Sequence, residues 1–281
     1  RLAETYWWIT VPGRHLHWLR KAAEGFDVEV RDFSEAYVGL RLVGPSARAI
    51  LKASGLEDFS TLRAGQAMHG TLDGITVIAT LSPHERLTTC NLWCAADAGE
   101  TLWTRIMQNG VPLGLVPAGW QTLETIRIED GLPAAGHEFM PAPEAIHADR
   151  RHSPLSLGLE GYVNFEKSVF NGRSAIMEEQ KKGRVLKLSL VLFTGAPPPV
   201  GVHIYRQEGL AGRLLRKPAG IVTSSCALPD RTTSLALALL RPDIASSTTA
   251  LEATYQSTDE LVAGAQASEG KILKVPTFSP G

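Results

Sequence analysis

The 281-residue chain has almost no net charge, few cysteines and no long apolar run. Its 28 basic and 29 acidic residues give a formal charge of −1, so no basic surplus indicates nucleic acid or an anionic membrane as a partner. The apolar stretches are too short to cross a bilayer, and residues 1–10 lack the basic and apolar regions of a signal peptide. We therefore expect a protein of the cytoplasm.

The cysteines and histidines do not form a metal or redox motif. Three cysteines are too few for a disulfide framework. Cys90 and Cys94 share one face of a predicted strand, and we interpret them as small, half-buried apolar residues rather than as a redox pair or half of a metal site. His147 and His152 belong to a predicted loop without the ligand spacing of zinc sites. No metal is expected.

Other catalytic signatures are also missing. The sequence contains no glycine-rich dinucleotide fingerprint, no phosphate loop and no Gly-x-Ser-x-Gly motif. If the protein takes part in an oxidative reaction, we expect the flavin on another chain or domain.

The first half of the chain alternates helical and strand patterns, which indicates an α+β layer. Helices are predicted at 15–24, 44–52, 98–109 and 119–129, and strands at 5–11, 26–31, 37–43, 70–81 (a hairpin with an Asp73-Gly74 turn) and 87–95. The second half carries short strands between Gly and Pro turns at 184–276, which indicates a small β-barrel.

The most informative stretch is 219–228, AGIVTSSCAL, which is followed by SLALALLRP at 234–242. We interpret it as a strand, a polar turn at Thr223-Ser224-Ser225 and a second, buried strand. The three hydroxyls either line the mouth of a pocket or satisfy backbone groups of the turn, and the second role is favoured.

Several blocks of the sequence occur in an order and spacing known from one family. They are VEVRDFSEAYVGLRLVGPSARAIL at 28–51, LWTRIMQNGVPLGLVPAGWQTLETIRIEDGLPAAGHE at 102–138, SPLSLGLEGYVNFEKSVFNGRSAI at 153–176, the stretch at 219–242, and the ending ILKVPTFSP at 272–280. Together they resemble the glycine-cleavage T-protein family of folate-binding aminomethyltransferases, over essentially the whole chain. The ending is similar to that of the demethylating relatives.

The resemblance implies a fold and a reaction. The fold is α+β, with T-protein-like folate-binding layers at 1–145, a connecting segment at 146–183 and a C-terminal β-barrel at 184–281. The reaction is the transfer of an aminomethyl or methyl group from a small donor to tetrahydrofolate, with a demethylase component as one form of it. The alternative is a degenerate, non-catalytic member that acts as a folate-binding or partner-binding subunit.

The resemblance also implies folate-binding residues. Glu129, in the run RIEDG, matches the family glutamate that accepts two N–H bonds from the pterin, a bidentate match of planar groups. Arg127 either holds a carboxylate of the glutamyl tail or pairs with Asp130, and the pairing is favoured. Tyr162 and Lys167 lie where relatives place aromatic and basic contacts, and a basic group suits the anionic tail.

Two departures from the family pattern concern the reaction. The aspartate that assists transfer in the family is expected upstream of Arg1, in an N-terminal segment or a partner chain. The family's glycine-rich turn falls near residues 81–89, which read LSPHERLTT here, without the aromatic residue and the glycines. His84 and Glu85 are the acid–base pair available in that turn, although a surface pair is the favoured interpretation.

Overall fold

A computed structural model describes residues 4–11, 15–82, 86–141, 144–146, 152–183, 186–210, 213–230, 232–245, 251–256 and 265–273. The chain forms two compact units, which are divided in the sequence between Ala118 and Gly119. Helices and sheets are both present, which confirms the α+β fold class. Among the described residues, no helix combines the length and the apolar character that crossing a bilayer requires.

The first unit is built on a four-stranded antiparallel sheet with the order β1-β4-β3-β2. The strands are β1 (Tyr37–Val43), β2 (Ala67–Leu72), β3 (Ile75–Leu81) and β4 (Thr89–Ala95). Asp73 and Gly74, between β2 and β3, have φ values of +48° and +83°. Two successive positive φ values are typical of the tight hairpin turn that the Asp-Gly pair predicts.

Among the described residues of this unit, three segments are α-helical: α1 (Leu16–Ala22), α2 (Ala47–Ala53) and α3 (Gly99–Gly110). One face of the sheet packs against α2 and α3 in a shared apolar core. Because side chains alternate along a strand, Cys90, Leu92 and Cys94 of β4 all point into that core and are at most 1% exposed. Burial raises the pKa of both thiols. The two cysteines behave as apolar residues, as the sequence indicated, but they are fully buried in the core rather than half-buried.

Two predicted strands of this unit are wrong. Residues 26–31 contain no strand, and residues 5–11 contribute only an isolated bridge at Tyr6. Trp8 instead packs edge-on against Tyr37, with ring centroids 4.8 Å apart, and stacks on Phe33 at 6.5 Å. Trp8 is therefore held by ring packing rather than by a hydrogen-bonded ladder, whereas Tyr6 and Trp7 are exposed.

The second unit contains a closed antiparallel barrel in the order β10-β5-β8-β7-β6-β9. Its strands are β5 (Lys187–Thr194), β6 (His203–Leu210), β7 (Arg213–Ala227), β8 (Thr233–Leu240), β9 (Leu251–Gln256) and β10 (Ala265–Leu273). Phe193, Ile204 and Leu240 are completely buried in one apolar cluster of these strands. The predicted C-terminal barrel is thereby confirmed.

The part of the second unit that the structure describes contains three more α-helices: α4 (Trp120–Asp130), α5 (Arg173–Lys182) and the short α6 (Pro242–Ala245). Along β8, Ala236 and Ala238 belong to the barrel cluster that contains Phe193, whereas Leu237 and Leu239 belong to a second cluster. Because side chains alternate across the strand, the second cluster covers the other face of the barrel wall. Ile128 of α4 packs into this second cluster, so α4 lies against the outside of the barrel.

The predicted polar turn at Thr223-Ser224-Ser225 is wrong. These residues lie inside the 15-residue strand β7, where Thr223 is the extra residue of a bulge in the pairing with β8. The turn comes later, where Asp230 accepts hydrogen bonds from the backbone N–H groups of Thr232 and Thr233 at 3.0 and 3.1 Å. A bulge re-aims side chains locally, which is why a polar run occurs within a strand here.

Candidate functional site

The C-terminal end of α4 is closed by Gly131. Its φ is +74°, and the N–H groups of Gly131 and Leu132 return to the carbonyls of Ile128 and Arg127, each at 3.0 Å. This Schellman arrangement needs a residue in the left-handed region and so favours glycine. It ends the helix where the sequence predicts and directs the chain into the loop that carries Glu138.

Glu138 is a fully buried carboxylate with four hydrogen-bond donors around it. Its Oε1 accepts from the hydroxyls of Thr223 and Ser224 at 3.0 and 2.5 Å. Its Oε2 accepts from Nη1 of Arg127 at 2.8 Å and from the backbone N–H of Ala134 at 2.9 Å. The side chain is 0% exposed. Because a carboxylate has about four acceptor positions, these partners offset the cost of burying its charge.

Every N–H of the Arg127 guanidinium is used inside the protein. Nε donates to the Glu124 carboxylate at 3.2 Å. Nη1 donates to Glu138 at 2.8 Å and to the carbonyl of Leu132 at 2.7 Å. Nη2 donates to Glu124 at 2.8 Å and to the hydroxyl of Ser224 at 2.9 Å. The five donors of the group are thereby saturated.

This saturation bears on both roles that the sequence left open for Arg127. The predicted pairing with Asp130 is wrong, because the guanidinium pairs with Glu124 and Glu138 instead. No N–H remains for the carboxylate of a ligand's tail in this conformation. With a side chain only 12% exposed, Arg127 has the geometry of a scaffold residue.

Glu124 is kept ionised by the same arginine. Burial opposes the charge of the Glu124 carboxyl, but the hydrogen bonds and the positive charge of Arg127 outweigh burial and hold the pKa of that carboxyl below its ordinary value. One guanidinium therefore lies between the carboxylates of Glu124 and Glu138.

Glu129 lies half-buried on α4, beside Cys226 of β7. Burial raises the pKa of the Cys226 thiol, the negative charge of Glu129 raises it further, and a hydrogen bond with Thr125 acts in the opposite direction. The thiol is therefore neutral near pH 7. The glutamate that the resemblance marks as the pterin ligand is thus a partly accessible carboxylate where α4 packs on β7.

Tyr162 and Lys167 lie in the segment between α4 and α5. Tyr162 ends a 3-10 turn at Glu160–Tyr162 and is 48% exposed, and Lys167 is exposed in the following loop. The structure therefore brings Arg127 and Glu129 onto one helix, whereas Tyr162 and Lys167 occupy an exposed segment of the same unit. The ligand roles of these two residues stay predictions.

A cleft of about 580 Å³ adjoins that segment, a volume in the range of small-ligand sites. Its lining includes the charged residues Glu160, Glu179 and Lys187 together with the ring of Phe165. Two carboxylates against one ammonium are a poor electrostatic match for the anionic tail of a folate. We do not assign the cleft to that ligand.

Glu138 is the residue that the sequence did not single out. Two signals were present, namely the GHE that ends the block at 102–138 and the run of hydroxyls at 223–225. The sequence does not show that a bulge in β7 aims Thr223 and Ser224 at one buried carboxylate, because they are about 85 positions away from Glu138 and no local pattern links such distant residues.

The altered turn lies partly outside the described residues. β3 ends at Leu81, the N–H of Ser82 donates to the carbonyl of Thr89 at 2.9 Å, and β4 begins there. The candidate pair His84 and Glu85 lies outside the described residues. Within the part of the chain that the structure describes, no group of three or more His, Cys, Asp or Glu side chains could hold a metal ion.

Both the sequence and the fold match known proteins. The family model described as the GCVT N-terminal domain matches residues 1–167. An aminomethyltransferase of Moorella thermoacetica is 29% identical over 263 residues, which cover 93% of this chain and 65% of the relative. An aminomethyltransferase of Streptomyces avermitilis is 32% identical over 161 residues, which cover 57% of this chain and 41% of the relative.

A solved structure shares the fold. The crystal structure of glycine cleavage system aminomethyltransferase T from Bartonella henselae matches with a TM-score of 0.73 at 19% identity, covering 94% of this chain and 65% of that one. The chain thus spans less than two thirds of the length of these relatives. Since the family model covers more than half of the 281 residues, the chain belongs to the GCVT family of glycine-cleavage T-proteins.

Proposed function

We propose that the chain binds the pterin in a tetrahydrofolate-dependent one-carbon transferase, with Glu129 as the pterin ligand. One observation carries the proposal. Glu129 is half-buried beside β7, and Arg127, two residues earlier on the same helix, is held in place by its hydrogen bond to Glu138. The names of the relatives, all aminomethyltransferases, support the reaction class.

A carboxylate at this place suits a pterin. The ring N–H and the 2-amino group of a reduced pterin are two parallel donors, and the two oxygens of one carboxylate accept them in the same plane. A helix held in one orientation keeps the oxygens in that plane. Transfer of a one-carbon group needs little covalent chemistry from the protein. Such a reaction is accelerated mainly by holding the reacting nitrogens of folate in place.

The remaining contacts are assigned by charge and exposure. We assign Lys167 to the anionic tail, because its exposed ammonium is the complement of a carboxylate. We assign Tyr162, which is 48% exposed, to a ring of the ligand. Arg127 belongs to the scaffold in this proposal, because its donors are saturated.

The one-carbon donor in the proposal is an aminomethyl group, the group that names the relatives. A methylated donor, as in a demethylase component, and a non-catalytic role remain predictions, since no contact of the described residues favours either one. A cytoplasmic location and a partner chain also remain predictions.

Calorimetric titration with tetrahydrofolate tests the proposal, and one binding site per chain is the expected result. A 2-desamino analogue keeps the rings and the tail but lacks one of the two donors to Glu129. We expect it to bind about tenfold more weakly, since a hydrogen bond to a charged group contributes about 1.5 kcal/mol or more. Equal affinity for both ligands contradicts the role of Glu129, and no binding of either refutes the proposed function.

A further inference from the structure

Helix geometry places Arg127 and Glu129 on opposite flanks of α4. Ile128, between them, is 2% exposed and faces the barrel wall. Successive residues of an α-helix are about 100° apart, so the residues before and after Ile128 project to either side. The positions along β7 agree with this arrangement, because Arg127 bonds to Ser224 whereas the charge of Glu129 acts on Cys226, two positions further along the strand.

The two flanks move together when the helix rolls about its axis. A roll of roughly 10° displaces a group that is about 6 Å from the axis by about 1 Å. As the helix rolls, a group on one flank moves towards the barrel wall and a group on the other flank moves away from it. A carboxylate that must accept two parallel N–H bonds loses at least one of them when it moves by that distance, because hydrogen bonds weaken steeply with length and angle.

Glu138 fixes the roll angle from the flank that carries Arg127. Its carboxylate joins three elements: α4 through Arg127, the following loop through Ala134, and the barrel wall through Thr223 and Ser224. The side chain is 0% exposed, so water does not replace a lost partner, and a missing bond costs the full desolvation of the group left behind.

We propose that Glu138 is a positioning residue for Glu129: it sets the roll of α4 on the barrel and thereby places the Glu129 carboxylate in the plane of the pterin donors. Glu138 does not touch the ligand and acts through the helix. This inference rests on the proposed function, since it takes Glu129 as the pterin ligand.

A double-mutant cycle tests the inference, with the Kd for tetrahydrofolate as the readout. The variants are Glu138→Gln, Glu129→Ala and the double variant. We expect Glu138→Gln to weaken binding about fivefold or more. The double variant is expected to bind no more weakly than Glu129→Ala alone, because a misplaced group and an absent group lose the same contact.

The outcomes separate this inference from the proposed function. If Glu129→Ala weakens binding but Glu138→Gln does not, or if the two losses multiply in the double variant, Glu138 does not act through Glu129 and the inference is overturned. If Glu129→Ala binds tetrahydrofolate as tightly as the unmodified chain, the pterin assignment itself is wrong and the inference fails with it.

Two further variants keep the test decisive. Glu252 is another buried glutamate of the barrel, on β9, and is 5% exposed. Glu252→Gln is expected to leave the Kd unchanged, so that a general loss of stability is distinguished from a loss of positioning.

If Glu138→Gln does not fold, Ser224→Ala takes its place in the same cycle. It removes the hydroxyl by which the barrel wall bonds to both Arg127 and Glu138, and an unchanged Kd in that variant overturns the inference.

Discussion

Arg127 on α4 and Ser224 on β7, which are 97 positions apart in the sequence, are joined by a hydrogen bond of 2.9 Å between Nη2 and Oγ. The hydroxyl that accepts this bond donates its own proton to Glu138, which also accepts from Arg127. The helix and the barrel wall are therefore connected twice, once directly and once through a buried carboxylate. This connection holds α4 at one angle on the barrel.

Replacing Glu138 by Gln is expected to lower the free energy of unfolding by about 2–4 kcal/mol, because Arg127 and two hydroxyls lose a buried, charged acceptor. Urea denaturation monitored by circular dichroism measures the change. Glu178→Gln is the matched control: its ion pair with Lys182 is 2.6 Å long but its side chain is 63% exposed, so the expected loss is below about 0.5 kcal/mol. Equal losses in both variants would contradict the role of Glu138.

The Glu124–Arg127 contact is expected to make stability depend on pH in the acidic range. The pKa of Glu124 is lower in the folded protein than its ordinary value of 4.5, so the contact stabilises fully above that value. The stabilisation is lost as pH falls through the folded pKa and the carboxyl takes up a proton. Comparison of urea midpoints should show a gap between the wild type and Glu124→Gln at about pH 7 that narrows towards about pH 3. A gap that widens on acidification would have the wrong sign.

Cys226 reports on the position of Glu129 without any ligand. The negative charge of Glu129 contributes to the raised pKa of the thiol, so Glu129→Gln is expected to lower that pKa and to speed alkylation of Cys226 by iodoacetamide at a given pH. The pH dependence of the alkylation rate, followed by mass spectrometry, measures the shift. Glu178→Gln is the control, because it removes the same negative charge from an exposed position on α5. An unchanged pH profile in Glu129→Gln would mean that the two residues are not neighbours.

The sequence predicted the elements that apolar periodicity and turn chemistry determine locally. The helix that ends at Gly131 and the hairpin at Asp73-Gly74 are examples, because a glycine or an Asp-Gly pair has a backbone conformation that few other residues adopt. The strand predicted at 5–11 failed because the aromatic composition that suggested it does not by itself form a ladder. Trp8 packs on Tyr37 and Phe33 instead, and Tyr6 and Trp7 are exposed.

Of the candidate site, the sequence predicted only the residues that the family blocks mark directly. They marked Glu129 and Arg127 on one helix, but the partners of Arg127 were assigned wrongly, since Asp130 is near it in sequence and Glu138 is near it in space. A guanidinium selects partners that fit its planar fork, and Glu138 becomes available only because Gly131 ends the helix and a bulge in β7 turns Ser224 towards it. Neither fact can be derived from spacing alone.

The most direct measurement is the Kd of tetrahydrofolate for the chain and for its Glu129→Ala variant, by isothermal titration calorimetry at one pH and one salt concentration. If Glu129 is the pterin ligand, the variant binds about 10- to 100-fold more weakly, which corresponds to about 1.5–3 kcal/mol for a bidentate, charge-assisted contact. The urea midpoint of the variant should be close to that of the wild type, because the side chain that is removed is only half-buried. A folded Glu129→Ala protein that binds tetrahydrofolate with unchanged affinity would contradict the assignment.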